Sequence, residues 1–499
     1  MDITYQPKPG SGGVVAIFVA EDKKLGIQGI ALDARTNGAI TRALAAPAFS
    51  GKREQVIDVV ALAGAGPKRV LVVGLGAPKE LTAHRARSVG GALAAHLMAA
   101  HEQTAALVVD LPKGSRLSDA ELAANLALGA RLRSYQFAKY RTKARPEKPT
   151  PLEALTVVNG RVAEARRLDE RLAAVAEGVH LARDLTNEPP NALYPEAFVE
   201  RAKGLAKLGV KVEALDVAAM KKLGMNAILA VGGGSARPPR LLVLQYNGAK
   251  NKGGGPIALV GKGVCFDAGG LCLKKPSGMY TMKGDMAGGA AVMGAVHALA
   301  RRRAKVNVIG VVGLVENLPS GTAYKPGDIV KTMSGQTIEV IDTDAEGRMV
   351  LVDALYYTAT RFKPACIVDL ATLTYAVMAA VGGAYSGIFC NQDRLYRDLT
   401  AAGEFTGERL WRLPIDGYYD ENLESQIADF RHHGSDAEFA DAAHAAALLK
   451  NFVDGRPWAH LDIANKEFSE KDRALVPVGG TGYGVALLEE FVAGHESSR

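Results

Sequence analysis

Three carboxylates and one guanidinium lie within seven residues of this 499-residue chain, in the segment Asp342-Thr343-Asp344-Ala345-Glu346-Gly347-Arg348. The run Thr337–Ile341 before it is typical of a strand, and a run with helical periodicity begins after it at Met349. Carboxylates packed at such a strand-to-helix turn repel one another unless a cation neutralises them. The segment therefore predicts a metal site, provided that other parts of the chain supply further ligands.

Other charged side chains lie upstream, at the ends of predicted strands and helices. Lys262 and Asp267 lie at the carboxyl end of a predicted strand that begins at Ile257, and Asp285 precedes a predicted helix rich in glycine and alanine. Taken singly, these residues could be a surface lysine, a turn residue and a helix cap, and Glu346 could be a first-turn helix acid. Their combination favours a site, because open α/β sheets place ligands at the carboxyl ends of their strands.

The combined set offers four carboxylates and one amine, from Lys262, Asp267, Asp285, Asp344 and Glu346. A carboxylate-rich site without histidine or cysteine suits Mn²⁺, Mg²⁺ or a catalytic Zn²⁺ better than a structural Zn²⁺. Four carboxylates are also enough to hold two ions about 3.5–4 Å apart, the separation used in two-metal hydrolysis. Lys262 could join such a site only as a neutral amine, so the ions would have to lower its pKa strongly.

Seven motifs follow one another through the second part of the chain: Asn187–Asn191, Gly261–Gly270, Met282–Met286, Glu316–Gly321, Thr343–Arg348, Asp369–Thr374 and Trp458–Ala464. In this order they resemble the leucyl aminopeptidase family, the hexameric two-metal cytosol aminopeptidases. The resemblance extends from about residue 175 to residue 499. The first part of the chain is consistent with the family's variable N-terminal domain only in its architecture.

The resemblance implies a role for each residue of the set. Asp267 and Glu346 would bridge two divalent ions, Mn²⁺ or Zn²⁺. Lys262 and Asp285 would complete the tighter site. Asp344 would complete the more exchangeable site, partly through its backbone carbonyl, and Mg²⁺ or Co²⁺ could also bind there. One ion would receive the free α-amine of a peptide, and both would polarise the scissile carbonyl and lower the pKa of a bridging water.

Two further residues would act without binding a metal. By the resemblance, Lys274 stays cationic and stabilises the oxyanion of the tetrahedral intermediate. Arg348 holds a bicarbonate ion that shuttles the proton, so that no side chain need be the general base. The implied function is that of a two-metal aminopeptidase, which removes the N-terminal residue from peptides with a free N-terminus and works as a homohexamer.

The predicted ligands and both catalytic residues match the family, but the wall of the expected substrate pocket does not. Asp342 stands where the family has Asn, Ala268 where it has Ser, and Tyr375 and Asn465 where it has Gly, while Asp441–His444 lacks the usual Gly/Ala-x-x-Thr pattern. We therefore expect a first-residue preference other than leucine, and a dipeptidase acting on Cys-Gly or on basic residues is an alternative. His444 could be a third metal ligand, although a helix-face histidine near the pocket is the better interpretation.

Asp342 raises a separate question, because it lies two residues before Asp344. On an extended segment the two side chains would share one face. The extra charge would then either tighten metal binding or alter a hydrogen bond near the ligands.

The elements that must position these residues form two α/β series. Short apolar runs alternate with helical patterns, which predicts mainly parallel or mixed sheets flanked by helices. We expect an N-terminal α/β domain over residues 1–170 and a C-terminal catalytic domain over residues 171–499. A helix from about Val162 to Leu185 would join them, and Pro189 and Pro190 must end it. The first domain could carry oligomer or nucleic-acid contacts.

The amino-acid composition further restricts the class of protein to which the chain can belong. The hydrophobic share of 48% and the charged share of 23% are ordinary for an α/β protein with large cores. Cys265, Cys272, Cys366 and Cys390 lack metal-binding spacing, which indicates reduced core residues of a cytoplasmic protein. The chain opens without a signal-peptide pattern. The uncharged stretch Leu370–Cys390 favours a buried strand, a loop and a second apolar element over a membrane span.

A net charge of +7 leaves a second class of function open. Six basic residues are clustered before Pro146, namely Arg131, Arg133, Lys139, Arg141, Lys143 and Arg145. A solvated helix end and linker is the favoured interpretation of this basic cluster. The alternative is a DNA-binding architectural role, which some bacterial members of the family have. It would give strongly salt-dependent DNA binding that survives Glu346→Ala.

Overall fold

The computed structural model describes residues 1–8, 13–60, 62, 66–143, 149–249, 255–434 and 437–496, and these form two compact units. The first unit is Met1–Ala176 with Lys471–Val478, and the second is Glu177–Glu470 with Gly479–Arg499. Both units are α/β, as the sequence predicts. Arg145 of the basic cluster lies outside the described residues.

In its described part, the first unit has six strands and the helices listed after them. The strands are β1 (Asp2–Gln6), β2 (Val14–Val19), β3 (Val56–Val60), β4 (Arg69–Gly74), β5 (Thr104–Val108) and β6 (Ala154–Val158). The helices are α1 (Ile27–Arg35), α2 (Ala39–Leu44), α3 (Ala83–Ala99), α4 (Asp119–Arg133) and α5 (Val162–Asn187), the last of which continues into the second unit. The strands form one sheet in the order β1-β6-β5-β2-β4-β3, parallel except between β3 and β4.

Helices cover both faces of this sheet, which explains why β2 reads as a continuous apolar run. All six residues of β2 are buried. Ala16 and Phe18 pack in a core with residues of α3 and α4, while Val15 and Ile17 pack in another with residues of α1 and α2. Successive side chains of a strand face opposite sides, so both sides must be apolar here.

Two arginines of the basic cluster have carboxylate partners within the first unit. Arg131 forms an ion pair with Asp169, and Arg133 Nη2 lies 2.9 Å from Asp472 Oδ2. These pairs join α4 to α5 and to the segment Lys471–Val478. Part of the charge of the cluster is therefore compensated inside the protein.

The second unit contains the remaining elements of the described chain. The strands are β7 (Lys211–Leu215), β8 (Arg240–Asn247), β9 (Ile257–Asp267), β10 (Asn307–Asn317), β11 (Ile329–Lys331), β12 (Thr337–Glu339), β13 (Cys366–Ala371), β14 (Ser386–Cys390), β15 (Leu410–Arg412), β16 (Phe430–Arg431), β17 (Trp458–Asp462), β18 (Phe468–Ser469) and β19 (Gly479–Gly480). The helices are α6 (Pro195–Ala202), α7 (Val217–Leu223), α8 (Asn226–Gly232), α9 (Pro276–Met279), α10 (Ala287–Arg301), α11 (Glu346–Phe362), α12 (Tyr375–Val381), α13 (Asp393–Thr406), α14 (Gly417–Glu421), α15 (Ala437–Lys450) and α16 (Val485–Ala493).

The main sheet of the second unit runs in the order β15-β14-β17-β13-β9-β10-β8-β7 over the described residues. Its centre, β17-β13-β9-β10, is parallel, and β14 and β8 pair antiparallel with that centre. From β9 the chain passes through α10 to β10 on one side, while β13 lies on the other side. The strand order therefore reverses at β9, and its carboxyl end is the place where open α/β sheets bind ligands.

The uncharged stretch Leu370–Cys390 contains the end of β13, the helix α12 and the strand β14. The expected strand is thus followed by two elements rather than one. Among the described residues, no helix is both long and apolar enough to cross a membrane. Three cysteines are buried, but Cys272 is only partly buried and lies in the loop after β9, so the prediction of a core position is wrong for that residue.

A buried carboxylate on α11 connects three segments of the second unit. Asp353 Oδ2 accepts the backbone N–H groups of Ala227 and Ile228 at 2.9 and 3.1 Å, and Oδ1 accepts that of Met333 at 2.8 Å. Ala227 and Ile228 lie in the first turn of α8, where Met225 at the N-cap makes no side-chain cap bond. Asp353 therefore supplies the acceptor that a capping residue would otherwise give.

We expect Asp353→Ala to lower the free energy of unfolding of the second unit by about 3–5 kcal/mol, because three N–H groups, two of them buried, would lose their acceptor. Urea denaturation followed by tryptophan fluorescence measures this, since both tryptophans, Trp411 and Trp458, lie in that unit. The control is Asp216→Ala, which removes the exposed cap of α7 and should cost about 1 kcal/mol. Equal losses for the two variants would contradict the role of Asp353.

Candidate metal centre

A one-residue bulge in β9 brings Lys262 and Asp267 to the same side of the sheet. The two residues are five positions apart, so strict alternation along a strand would place their side chains on opposite faces. The pairing of β9 with β10 skips Cys265, which adds one residue to β9 and restores the common face. Both side chains are almost completely buried.

Two glycines turn the chain after β9 and return Lys274 to the end of that strand. Gly269 and Gly270 have φ values of 87° and 64°, a backbone region that favours glycine. A Cβ atom on Gly269 would lie 2.7 Å from a carboxylate oxygen of Asp344. The backbone N–H of Lys274 donates to the carbonyl of Ala268 at 2.9 Å and closes the loop. The two glycines therefore let the loop turn sharply, and they leave room for the carboxylate of Asp344 beside it.

Close packing of α10 on β9 brings Asp285 to the same place. Asp285 follows a short 3-10 turn, Met282–Gly284, and one residue separates it from the start of α10. A Cβ atom on Gly261 of β9 would lie 2.6 Å from the Cα of Gly289, so glycines let the helix backbone touch the strand. Thr372, just after β13, donates its hydroxyl to Asp285 Oδ1 at 2.6 Å.

Residues 342–345 form a tight turn before α11 rather than an extended stretch, which corrects the expectation for Asp342. Asp342 Oδ1 accepts the backbone N–H of Asp344 at 2.8 Å, and its carbonyl oxygen accepts that of Ala345 at 3.2 Å. This is the local hydrogen bonding by which aspartate stabilises turns. The carboxylate of Asp342 is thus engaged by the backbone of the turn that presents Asp344.

The five predicted metal-binding residues meet in one place. Asp267, Asp344 and Glu346 each offer an oxygen, and these atoms lie within 4.8 Å of one another. Lys262 Nζ connects Asp285 to this group, at 2.9 Å from Asp285 Oδ1 and 2.7 Å from Glu346 Oε1. Four carboxylates from three stretches of chain therefore share a site that is largely closed to solvent.

Lys274 lies at the other side of the same group. Its Nζ is 2.8 Å from Asp267 Oδ2 and 2.6 Å from Asp344 Oδ1, and 5.9 Å from the centroid of the Tyr375 ring. Lys262 and Lys274 together compensate only half of the charge of the four carboxylates. When all four acids are ionised, the cluster therefore keeps a net negative charge, which favours cation binding.

Burial dominates the pKa values of the acidic residues. It raises the pKa of Asp267 to about 7, with the charge of Glu346 adding to the rise, and it raises the pKa of Asp285 well above its usual value. Burial acts in the same direction on Glu346, but the ammonium groups of Lys262 and Lys274 outweigh it and lower the pKa. One carboxylate of the cluster is therefore held ionised by the lysines.

The protein's own charges keep Lys262 protonated. Burial acts to lower the pKa of its amine, but Asp285 and Glu346 outweigh burial and raise the pKa above its usual value. Metal ions would have to displace this proton before the amine could become a ligand.

The donor set fits divalent metal ions. Asp285 Oδ2 and Glu346 Oε2 are buried and accept no hydrogen bond from the described residues. A buried carboxylate oxygen without a donor is costly unless a cation neutralises it. Oxygen donors of this kind suit Mn²⁺, Mg²⁺ and catalytic Zn²⁺. The residues therefore offer both the ligand atoms and the charge that such ions require.

Arg348 has different partners from Lys262 and Lys274. It lies on α11, is buried, and its Nη1 donates to the carbonyl of His432 at 2.9 Å, while Nη2 donates to Asp441 Oδ2 at 2.9 Å. The structure thus groups six of the predicted site residues through ion pairs and places Arg348 beside them on the helix that begins with Glu346.

Sequence reasoning did not single out two residues that orient the acids. Asn317, at the end of β10, donates from Nδ2 to Asp267 Oδ1 at 2.8 Å. Thr372 bonds Asp285 and also accepts, through its carbonyl oxygen, a hydrogen bond from Lys262 at 2.9 Å. Both lie within motifs that resemble the family, so their presence in those motifs could have identified them as site residues.

His432 is a third residue that sequence reasoning missed, and no motif marks it. Its Nδ1 accepts the backbone N–H of Ile341 at 3.1 Å, which leaves the proton on Nε2 to donate to the carbonyl of Asp342 at 2.7 Å. Burial and the charge of Arg348 lower the pKa of His432 to about 4, so the ring is neutral at ordinary pH. His432 therefore fixes the turn that carries Asp344.

The residues that depart from the family lie around this centre in different environments. Tyr375 begins α12 and is 63% exposed. Asn465 has a φ of 65°, and asparagine tolerates this left-handed backbone better than most residues, which explains how it replaces glycine. His444 is buried on α15 with its ring edge-on to Tyr419, 5.6 Å between centroids.

Comparisons with known proteins identify the family of this chain. Residues 180–489 match the model of the cytosol aminopeptidase family, catalytic domain, and residues 14–144 match that of its N-terminal domain. A probable cytosol aminopeptidase from Bradyrhizobium sp. is 48% identical over 96% of this chain and 95% of its own length, and one from Afipia carboxidovorans is 46% identical over 98% and 96%.

Two solved structures are similar over nearly their whole length. A mutant of tomato leucine aminopeptidase is 32% identical with a TM-score of 0.88, covering 99% of this chain and 96% of that one. The bottromycin maturation enzyme BotP in complex with Mn is 35% identical with a TM-score of 0.84, covering 98% and 100%. The chain therefore belongs to the cytosol aminopeptidase family and is a metallo-exopeptidase.

Proposed function

We propose that this chain is a two-metal aminopeptidase whose ions are held by Lys262, Asp267, Asp285, Asp344 and Glu346. The observation that supports this most is the convergence of carboxylate oxygens from Asp267, Asp344 and Glu346 within 4.8 Å, two of these residues being buried, with Lys262 linking Asp285 to them. The similar bottromycin enzyme is solved with Mn, which supports Mn²⁺ as one of the ions. Zn²⁺ is equally compatible with the donors, and Mg²⁺ or Co²⁺ could replace one ion.

Ions bound there would polarise the scissile carbonyl and activate the attacking water. The remaining steps fall to the chain. Asn317 and Thr372 hold Asp267 and Asp285 in fixed orientations through the hydrogen bonds they donate. Lys274, whose ammonium lies at the edge of the acidic group, would stabilise the oxyanion that forms when water attacks. A free α-amine on the peptide would be required because the acidic site attracts it.

Arg348 would hold an anion that carries the proton between water and the leaving amine. The resemblance to the family implies bicarbonate in this role. Support for an anion at this place comes from the contacts of Arg348, since its guanidinium is 1% exposed and already binds a carboxylate, that of Asp441.

The homohexamer implied by the resemblance stays a prediction, which light scattering would test. The DNA-binding alternative also stays a prediction, but the pairing of Arg131 with Asp169 and of Arg133 with Asp472 does not favour it. We therefore propose hydrolysis of peptides and no second function.

The direct test uses aminoacyl fluorogenic substrates and dipeptides, after metal removal and reloading with Mn²⁺ or Zn²⁺. We expect cleavage of substrates with a free N-terminus and none of their N-acetylated forms. Cys-Gly and substrates with a basic first residue belong in the panel, because they identify a dipeptidase with changed specificity. If no substrate is cleaved with either ion, the proposed function is wrong.

We expect Lys274→Ala to lower kcat by about 10²–10³-fold, because one stabilising charge near the oxyanion is lost. Metal content should not fall, since the variant removes a cation that competes for Asp267 and Asp344. Elemental analysis of the purified protein measures this, with Glu346→Gln as the control that should lose metal. Loss of metal from Lys274→Ala would contradict the assigned role.

Tyr375 should limit the size of the first substrate residue, because its exposed ring stands beside Lys274. We expect Tyr375→Gly to raise the kcat/KM ratio of leucyl over alanyl substrate by about 10–100-fold, the range for altered apolar pockets. Tyr140→Gly, in the first unit, is the control for loss of an exposed tyrosine and should leave the ratio unchanged. An unchanged ratio in Tyr375→Gly would remove Tyr375 from the pocket wall.

A further inference from the structure

Arg348 already has a carboxylate partner within the chain. Its Nη2 lies 2.8 and 2.9 Å from the two oxygens of Asp441, and its Nη1 donates to the carbonyl of His432. Arg348 is 1% exposed and the side chain of Asp441 is 18% exposed, so the pair is mostly removed from solvent. Charge-assisted bonds of this kind are among the strongest in proteins.

The pair lies where α15 approaches the first turn of α11. Glu346 and Arg348 belong to that first turn, so the carboxylate of Asp441 binds an arginine two residues from a proposed metal ligand. At the start of α15 the backbone is not helical at Ala440, where φ is −118° and ψ is 17°. This kink directly precedes Asp441 and sets the direction in which α15 continues from it.

The two histidines beside this ion pair do not supply a negative charge. Burial, then Arg348, lowers the pKa values of both His432 and His433, so both rings favour the neutral form. His433 Nε2 lies 3.6 Å from Asp441 Oδ1. Asp441 is thus the acid in direct contact with the guanidinium.

We propose that Asp441 fills the anion site of Arg348 from within the chain and takes the place of bicarbonate. This inference rests on the proposed function, and it names the anion that the function requires. The carboxylate has the planar, two-oxygen shape that a guanidinium binds, which is also the shape of bicarbonate. As water attacks, its proton passes to this carboxylate and then to the nitrogen of the leaving amine, so the charge of the pair is restored after each turnover.

The proposal predicts that hydrolysis by the unmodified enzyme does not need dissolved bicarbonate. With metals loaded and buffers freed of carbon dioxide, its kcat should change by less than about twofold when bicarbonate is added. Asp441→Ala should lose about tenfold or more in kcat without bicarbonate and regain much of it as bicarbonate is added, because the freed guanidinium can then bind the ion.

A second measurement reports binding without activity. Bicarbonate should raise the melting temperature of Asp441→Ala and leave that of the unmodified protein unchanged, because only the variant has a free anion site. Asp420→Ala is the matched control, since it breaks another ion pair of α15, between Asp420 Oδ2 and Lys450 Nζ at 2.7 Å. It should show neither the bicarbonate rescue nor the thermal shift.

The proposal is overturned if the unmodified enzyme loses most of its rate without bicarbonate, or if bicarbonate raises its melting temperature. It is also overturned if Asp441→Ala keeps its full rate, or loses it without rescue while its metal content stays normal. Asp441→Ser, which is too short to reach the guanidinium in the same way but remains polar, serves if Asp441→Ala does not fold, and the same outcomes apply. An inactive unmodified enzyme whose Asp441→Ala form still gains thermal stability from bicarbonate would contradict the proposed function and leave the anion site intact.

Discussion

The second unit depends on one constraint, which is that four carboxylates lie close together in a largely buried cluster. Each would be expensive to bury alone, and together they repel one another. Lys262 and Lys274 each contact two of them, but two ammonium groups cannot balance four acids. When all four acids are ionised, the remaining negative charge favours the binding of cations.

Separate elements of the fold restrain the acidic side chains of the cluster. Asp267 ends the strand at which the order of the sheet reverses, and Asn317 on the next strand fixes one of its oxygens. Glu346 lies at the N-terminus of α11, where the helix dipole favours an acid. Asp285 is held by Thr372 and by the close approach of α10 to β9. Different strands and helices thus restrain different acids, so the geometry of the site does not depend on a single loop.

Much of this arrangement could be predicted from the sequence, because the types of the charged residues and their order carry the information. The strands that contribute to the centre are long apolar runs, and charged residues at their ends stand out. Short or half-exposed elements gave no such signal: β1 has only one buried residue, and α12, although apolar, is only seven residues long. The bulge at Cys265 and the turn at Asp342 depend on pairing with other parts of the chain, so residue spacing along one strand could not reveal them.

The positions where this chain departs from its family differ physically from those that it keeps. Lys262, Asp267 and Glu346 are 3% exposed or less, so replacing any one of them would leave a buried charge without its partner. Tyr375 is largely exposed, Asn465 answers a backbone requirement that asparagine also meets, and Asp342 bonds its own turn. Such positions can change without disturbing the charge balance beneath them. A metal-binding centre whose geometry depends on buried charges can therefore keep its reaction, while substitutions in the surrounding pocket change which first residue of the substrate is preferred.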